Sequence, residues 1–206
     1  MSFVVTEEQF ELLFPERNPF YTYQGLVEAT AKYPEFTTTG GQEIALREAA
    51  AFLANTSHES LQFKHVVEIN TAFYDHYCDP SQPYGCPAGK AAYYGRGPIQ
   101  LSWNFNYKAA GDALGFDLLN HPELVETDPM VAWATALWYW NTQVGPGNFT
   151  CHNAIVGDHG FAETIRSING PLECEGGNPR QMNNRVRLFT EYCEVLGTTT
   201  GDNLTC

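Results

Sequence analysis

An unusually apolar helical stretch, EIALREAAAFLANTSHE at residues 43–59, constrains this chain more than any other feature. Its apolar residues fall on almost every side of a helix, which is typical of a helix buried within a core. They are Ile44, Leu46, Ala49, Ala50, Phe52, Leu53 and Ala54. The stretch ends at Glu59, so we expect this carboxyl group to emerge at the end of a core helix. Apolar surroundings favour the protonated form of a carboxylic acid, which would suit Glu59 to act as a general acid.

A second glutamate, Glu68, follows in the segment HVVEIN. The β-branched residues around it favour an extended backbone, so Glu59 and Glu68 lie on different elements. Two such carboxyl groups can face each other across a cleft. Glycoside hydrolysis needs a pair of this kind, with one member protonated and the other ionised. Because the chain has 24 acidic residues, two solvated surface glutamates are the alternative interpretation.

Length and charge limit the classes of function. The chain has 206 residues, 43% of them hydrophobic, which is enough for one sizeable core, and we expect a single domain over residues 1–206. No apolar run is long enough to span a membrane, and no signal peptide is present, so we expect any such peptide to have been removed. The net charge of −13 disfavours nucleic acid and anionic membranes as partners, because both require clustered Lys and Arg.

The cysteines indicate disulfides rather than a metal site. Six occur without a CxxC pair, namely Cys78, Cys86, Cys151, Cys174, Cys193 and Cys206. An even set of this kind is typical of an extracellular protein. The short, turn-rich segment CDPSQPYGC favours a bond between Cys78 and Cys86, and three pairings of the other four remain open. The zinc motif HExxH is absent, because Gln62 stands where its second histidine would be, so we expect no metal and no cofactor.

The run YYGRGPIQLSWNFNY, at residues 93–107, carries the clearest binding pattern. It is not a nucleotide loop, because Gln100 occupies the third glycine position of GxGxxG. In an extended run, polar residues would share one face and bulky apolar residues the other. The polar ones are Gln100, Ser102, Asn104 and Asn106. Amides and hydroxyls suit sugar hydroxyl and acetamido groups, and aromatic rings suit sugar CH groups. An ordinary amphipathic strand or turn is the alternative.

Helical patterns account for most of the remaining chain. Thr6 is a predicted N-cap for a short helix, Gly115 is predicted to end another, and the tryptophans of the apolar run 128–143 are expected in the core. Further helices are predicted at 21–33, 160–170 and 178–197. The section from 71 to 97, rich in Tyr, Pro and Gly, is predicted to be a long loop pinned by a disulfide. The sequence therefore predicts a mainly α fold.

Four segments together resemble the family 19 glycoside hydrolases, chitinases of the plant and actinobacterial type: SHES, VVEIN, YYGRGPIQLS and SINGPLECEGGNP. The match runs from about Phe52 to Leu196, and the short spacing of the two glutamates is similar to the compact, loop-poor members. The resemblance implies a mainly α, lysozyme-like, two-lobed domain with a substrate cleft and few short strands. It also implies hydrolysis of β-1,4 bonds in chitin with inversion. Glu59 would then be the acid and Glu68 the base, with carboxyl groups about 6.5–9.5 Å apart.

The resemblance implies further roles. Ser102 matches the residue that helps Glu68 hold the attacking water. Substrate-contacting positions match Gln100, Asn106, Ile168 and Asn169, and His58, Tyr94, Trp103 and Arg185 are added as candidates. Arg185 and Glu173 match a charged pair close to the catalytic carboxylates, with a structural ion pair as the alternative. Phe105 stands where some plant members have Tyr. Cys174 matches a cysteine bonded to the C-terminal end, which implies Cys206 and leaves Cys151 with Cys193.

The expected partners are chitin and N-acetylglucosamine oligosaccharides, bound by a secreted monomer. Two alternatives remain open. One is a catalytically weak, chitin-binding lectin on the same scaffold. The other is a hydrolase of peptidoglycan or chitosan, and cationic chitosan would suit the acidic composition.

Overall fold

The computed structural model describes residues 3–206, and these residues are mainly α-helical. The helices are α1 Glu7–Leu13, α2 Tyr23–Thr30, α3 Gln42–Glu59, α4 Asn104–Leu114, α5 Leu124–Thr127, α6 Pro129–Thr142, α7 Cys151–Val156, α8 Phe161–Glu173 and α9 Pro179–Leu196, with a 3₁₀ helix at Thr71–His76. Extended pairing within residues 3–206 is limited to two isolated antiparallel bridges, Val67 with Arg96 and Arg96 with Leu101. No helix in this range is long and apolar enough to cross a membrane.

Helix ends follow the predicted local signals. Thr6 caps α1 in a reciprocal capping box with Gln9, and Asn178 caps α9 by accepting from the amide of Gln181. Gly115 and Gly197 end α4 and α9 in the left-handed conformation that glycine adopts without steric cost.

The prediction of an alternating extended run over residues 100–106 is wrong, because the backbone turns at Gln100 and Trp103 and is helical from Asn104 onwards. Helix α4 begins at Asn104, so Asn104 and Asn106 belong to a helix rather than to one face of a strand. Asn104 is fully buried. Its side chain bonds to the backbone of Asp79 and Gly85, and these long-range bonds outweigh the local alternation.

The chain divides into two compact units, with boundaries inside α3 and α6. The first, which we call unit 1, contains the described part of residues 1–15 with 33–58 and 139–206. Its core includes Phe36, Phe52 and Trp140, whose rings meet edge to face. Beside them the fully buried Glu48 accepts hydrogen bonds from Trp140 Nε1 and from the backbone amide of Thr37. A buried carboxylate is tolerated there because donors surround it.

The second unit, unit 2, contains residues 16–32 and 59–138. Three fully buried aromatic residues, Tyr21, Phe63 and Trp133, form its centre with ring centroids 5.2–5.6 Å apart. Trp133 Nε1 also donates to Thr22 O, which satisfies the indole within the core. All three tryptophans of α6 are buried, as predicted for core residues.

Two of the expected disulfides are present and the third is not. Cys78 is bonded to Cys86, and Cys174 to Cys206. Cys151 and Cys193, which we expected to pair, are free and buried. Their pairing followed only by elimination, once the resemblance had paired Cys174 with Cys206, whereas a bond requires close and suitably directed side chains. Burial raises the pKa of both thiols to about 12, so they remain protonated within the core.

Candidate active site

Glu59 is the last residue of α3, as the sequence predicts. The helix is buried over most of its final turns, from Ala49 to Ser57, and Glu59 itself is partly exposed. The carboxyl group therefore leaves a core helix at the point where the chain reaches solvent.

A left-handed turn follows Glu59 directly. Leu61, Gln62 and Phe63 have φ angles of 50°, 59° and 59°, a conformation that costs a residue other than glycine roughly 1–2 kcal/mol. The buried Phe63 ring anchors this turn, because it packs against Tyr21 and Trp133. The backbone amide of Phe63 donates to Ser60 Oγ, which closes the turn. Strain of this kind persists only where surrounding structure enforces it, and it is concentrated at functional sites.

Glu68 lies beside a short bridged segment and is fixed at several atoms. Val67 bridges with Arg96, and the Glu68 backbone amide donates to Gly95 O at 2.8 Å. The carboxylate accepts from Tyr77 Oη at 2.9 Å on Oε1 and from the Gly95 amide at 3.2 Å on Oε2. Glu68 is therefore held in a defined direction, with one donor at each carboxylate oxygen.

A stack of side chains supports this segment of unit 2. The guanidinium of Arg96 lies 3.7 Å from the ring centroid of Tyr94, and the Tyr94 ring stacks on Tyr74 with centroids 3.7 Å apart. Arg96 is buried and pairs with Glu126 at 2.7 Å. Tyr74 Oη in turn donates to the backbone oxygen of Glu68 at 2.9 Å. The stack thus connects the buried Arg96, paired with the partly exposed Glu126, to the backbone of Glu68.

The predicted sugar-binding residues 100–106 lie in the same unit. Gln100 and Trp103 have positive φ angles of 55° and 75°, so the backbone changes direction on both sides of Ser102. Gln100 Nε2 donates to Gly97 O at 2.9 Å, and Asn106 Nδ2 donates to Ser102 O at 3.0 Å. The side chains of Gln100, Ser102, Trp103 and Asn106 are all partly exposed. They can therefore meet a ligand while the backbone stays fixed.

Arg185 and Glu173 form a buried ion pair in unit 1. Arg185 donates through Nε and Nη2 to the two carboxylate oxygens of Glu173, each at 2.8 Å, and through Nη1 to Asn55 Oδ1 at 3.1 Å. Burial alone would raise the pKa of Glu173, but the hydrogen bonds and charge of Arg185 outweigh it, helped by Asn169, and hold that pKa below its usual value. The pair is ionised and bidentate.

Asn169 sits at a kink in α8 and is oriented by this pair. Its φ of −149° is not helical, and Pro171, two residues later, has no N–H to donate to Ser167 O. Tyr139 Oη donates to Ser167 O instead, at 2.7 Å. Asn169 Nδ2 donates to Glu173 Oε1 at 2.8 Å. The kink leaves Asn169 and Ile168 partly exposed.

His58 belongs to unit 1, although it precedes Glu59 in the chain. Asn184 Nδ2 lies 2.9 Å from His58 Nδ1. Because an amide nitrogen only donates, His58 Nδ1 is the acceptor in this contact, which orients the ring.

The structure thus brings the predicted residues together in two groups. In unit 2, Glu68 is close to Tyr94 through the segment 94–96, and in unit 1 Asn169 is close to Glu173 and Arg185. Sequence motifs did not identify Tyr77, although its position beside Cys78 in the pinned loop is a signal that could have found it. Within residues 3–206, no group of three or more His, Cys, Asp or Glu side chains is arranged to hold a metal ion.

The family model described as Chitinase class I matches residues 4–206 of this chain. The chain belongs to glycoside hydrolase family 19. This family 19 hydrolase is 45% identical over 210 residues to Endochitinase EP3 of Arabidopsis thaliana, covering 98% of this chain and 73% of the relative. It is 43% identical over 210 residues to Chitinase 6 of Oryza sativa subsp. japonica, covering 98% and 74%.

Solved structures agree with the fold of the hydrolase. Chitinase C from Streptomyces griseus superposes with a TM-score of 0.98 at 65% identity, covering 99% of this chain and 81% of that one. The mainly helical, lysozyme-like fold expected from the resemblance is therefore the fold of this family 19 hydrolase.

Proposed function

We propose that this glycoside hydrolase is an endochitinase that cleaves β-1,4 bonds between N-acetylglucosamine units by single displacement with inversion. Glu59 protonates the leaving glycosidic oxygen. Glu68 removes a proton from a water that attacks the opposite face of the sugar, and Ser102 helps to hold that water. Such a mechanism requires the two carboxyl groups to be about 6.5–9.5 Å apart, which leaves room for the water.

The observation that carries this proposal is the fixation of Glu68. Tyr77 Oη and the Gly95 amide each donate to one of its carboxylate oxygens. A carboxylate held in this way has a defined direction and keeps lone pairs for a water molecule. Those are the properties that a general base needs.

The position of Glu59 supports the complementary role. It ends a helix that is buried over its final turns, and the left-handed turn that follows restricts its direction. The names of the relatives, Endochitinase EP3 and Chitinase 6, support chitin as the substrate class.

We infer that Gln100, Asn106, Ile168 and Asn169 contact the substrate, with His58, Tyr94 and Trp103 as further candidates. Because Asn169 donates its amide hydrogen to Glu173, its Oδ1 is directed away from that partner and can accept from an acetamido N–H. Asn169→Ala should therefore lose more activity on acetylated chitin oligomers than on chitosan oligomers of equal length. Equal losses on both substrates would contradict this role.

We further propose that residues 1–206 act as one catalytic domain in a secreted monomer. Two disulfides suit an oxidising compartment. Gel filtration with light scattering measures the mass in solution, and an oligomer would contradict the proposal.

The first experiment is to digest a chitin hexasaccharide and follow the new reducing ends by proton NMR at early times. Cleavage that yields α-anomers supports inversion. Glu59→Gln and Glu68→Gln should each lower kcat by about 10²–10⁴-fold, the usual contribution of a general acid or base, while the exposed Glu194→Gln should leave it unchanged. Saturable binding without cleavage by the native protein would favour the lectin, and β-anomers would refute inversion.

A further inference from the structure

Tyr77 is not among the residues that the sequence motifs predict, yet its hydroxyl group contacts the carboxylate of Glu68. We propose that Tyr77 is a positioning residue whose hydrogen bond fixes the direction of the basic oxygens of Glu68. This inference rests on the proposed function, in which Glu68 is the general base.

The contacts of Glu68 divide into those that fix its backbone and those that fix its carboxylate. Its amide donates to Gly95 O at 2.8 Å, and its backbone oxygen accepts from Tyr74 at 2.9 Å. At the carboxylate, Gly95 N–H donates to Oε2 and Tyr77 to Oε1. Of the two groups that donate to the carboxylate, Gly95 N–H belongs to the backbone and Tyr77 Oη to a side chain. A substitution can therefore remove the hydrogen bond from Tyr77.

Tyr77 is itself held by a buried clamp. The Asn104 amide donates to Tyr77 O at 3.1 Å. The Asn104 side chain, which is fully buried, accepts from Asp79 N and donates to Asp79 O and Gly85 O. These bonds tie both arms of the loop closed by the Cys78–Cys86 disulfide. Tyr77 therefore approaches Glu68 from a rigid loop, which makes the hydrogen bond a defined part of the site.

Tyr77 remains the donor in its hydrogen bond to Glu68. Burial raises the pKa of Tyr77 to about 12, and the hydrogen bond to Glu68 and its charge contribute to the rise, so the phenol remains a donor at neutral pH. The other ionisable groups in this region are Tyr74, His76, Tyr94, Arg96 and Glu126. Arg96 is paired with Glu126, whereas the His76 ring lies 6.0 Å from that of Tyr77. Because histidine is the side chain most often responsible for charge changes between pH 5 and 8, the test uses a His76→Asn background.

The experiment measures the ionisation of Glu68 directly. In the protein labelled with ¹³C at glutamate carboxyl groups, the Glu68 resonance is assigned by its loss in Glu68→Gln, and its titration midpoint is compared in Tyr77→Phe. Loss of one donor to the ionised carboxylate should raise the midpoint. The acid limb of kcat/KM should move by the same amount, and kcat should fall about tenfold.

Tyr84→Phe is the matched control. It also removes a hydroxyl group from the disulfide loop region, but that hydroxyl group donates to Gln82 rather than to Glu68. In this variant, the titration midpoint of Glu68 and the acid limb of kcat/KM should match those of the parent protein. A second variant, Cys78→Ser with Cys86→Ser, loosens the clamp and keeps Tyr77. It should shift the midpoint in the same direction by a smaller amount, and it provides the test if Tyr77→Phe does not fold.

The outcomes separate the two proposals. An unchanged Glu68 midpoint in Tyr77→Phe, with Glu68→Gln inactive, overturns the positioning role and leaves the proposed function intact. An active Glu68→Gln overturns both, because Glu68 would then not be the base. A raised midpoint with a matching shift of the acid limb supports the positioning role.

Discussion

Replacing Arg185 by Met should destabilise this protein more than any surface change, because it leaves a charge buried without its main partner. The side chains of Arg185 and Glu173 are 1% and 0% exposed. In Arg185→Met, Glu173 would keep only the hydrogen bond from Asn169. Breaking a buried pair in this way costs about 3–5 kcal/mol. At about 2–4 °C per kcal/mol for a chain of this size, Tm should fall by about 6–20 °C.

Differential scanning calorimetry at pH 7 tests this prediction, with Arg187→Met as the matched control on the same helix. Arg187 is half exposed and pairs with Glu191 one turn away, so its loss should cost less than about 1 kcal/mol. The double variant Glu173→Leu, Arg185→Met removes both charges and should be more stable than Arg185→Met alone. A loss below about 1 kcal/mol in Arg185→Met would refute the reasoning.

The structure also determines how the stability lost in Arg185→Met depends on pH. Burial opposes ionisation of Glu173, but Arg185 overcomes it, so the pKa of Glu173 is lower in the folded protein than in the unfolded chain. The unfolded chain therefore binds the extra proton as the pH falls. The stability that the pair contributes is present above the unfolded pKa and is lost as the pH falls through the folded pKa. The difference between Arg185→Met and the native protein should thus be largest near pH 7 and shrink in acid.

Two further substitutions test other parts of unit 1. The hydrogen bond that His152 Nδ1 donates to Glu48 raises the pKa of His152, against the effect of burial. The stability from that pair is therefore present below the unfolded pKa of histidine and is lost as the pH rises through the folded pKa. Calorimetry should show His152→Gln losing more Tm at pH 6 than at pH 9, and an equal loss would contradict this. Gly145 has a φ of +57°, and a Cβ there would overlap Ser167 O, so Gly145→Ala should cost about 2–4 kcal/mol by urea unfolding. Gly115→Ala, at +81° but in open space, should cost about 1–2 kcal/mol, and equal costs would refute the steric argument.

The sequence by itself determined much of the fold. The all-round apolar pattern before Glu59 and the apolar run with three tryptophans both correspond to buried helices. Cap residues such as Thr6 and Gly115 act within one turn of the chain, so their effect can be read locally. The Cys78–Cys86 bond closes a short loop, and for the same reason it was predictable.

Only the tertiary structure decided how the site is assembled. Nothing in the segment Ser60–Phe63 indicates a left-handed turn, which exists because the Phe63 ring is held between Tyr21 and Trp133. Likewise, Cys151 and Cys193 are both buried but not bonded to each other. The number of cysteines in the sequence does not reveal whether two of them meet.

The hydrogen bond from Tyr77 to Glu68 has the same kind of origin. It depends on Asn104, which becomes buried only when helix α4 meets the disulfide loop. Helix periodicity and caps depend on neighbours a few residues away. The direction of a catalytic side chain depends on contacts between residues that are distant in the chain, and those exist only after folding.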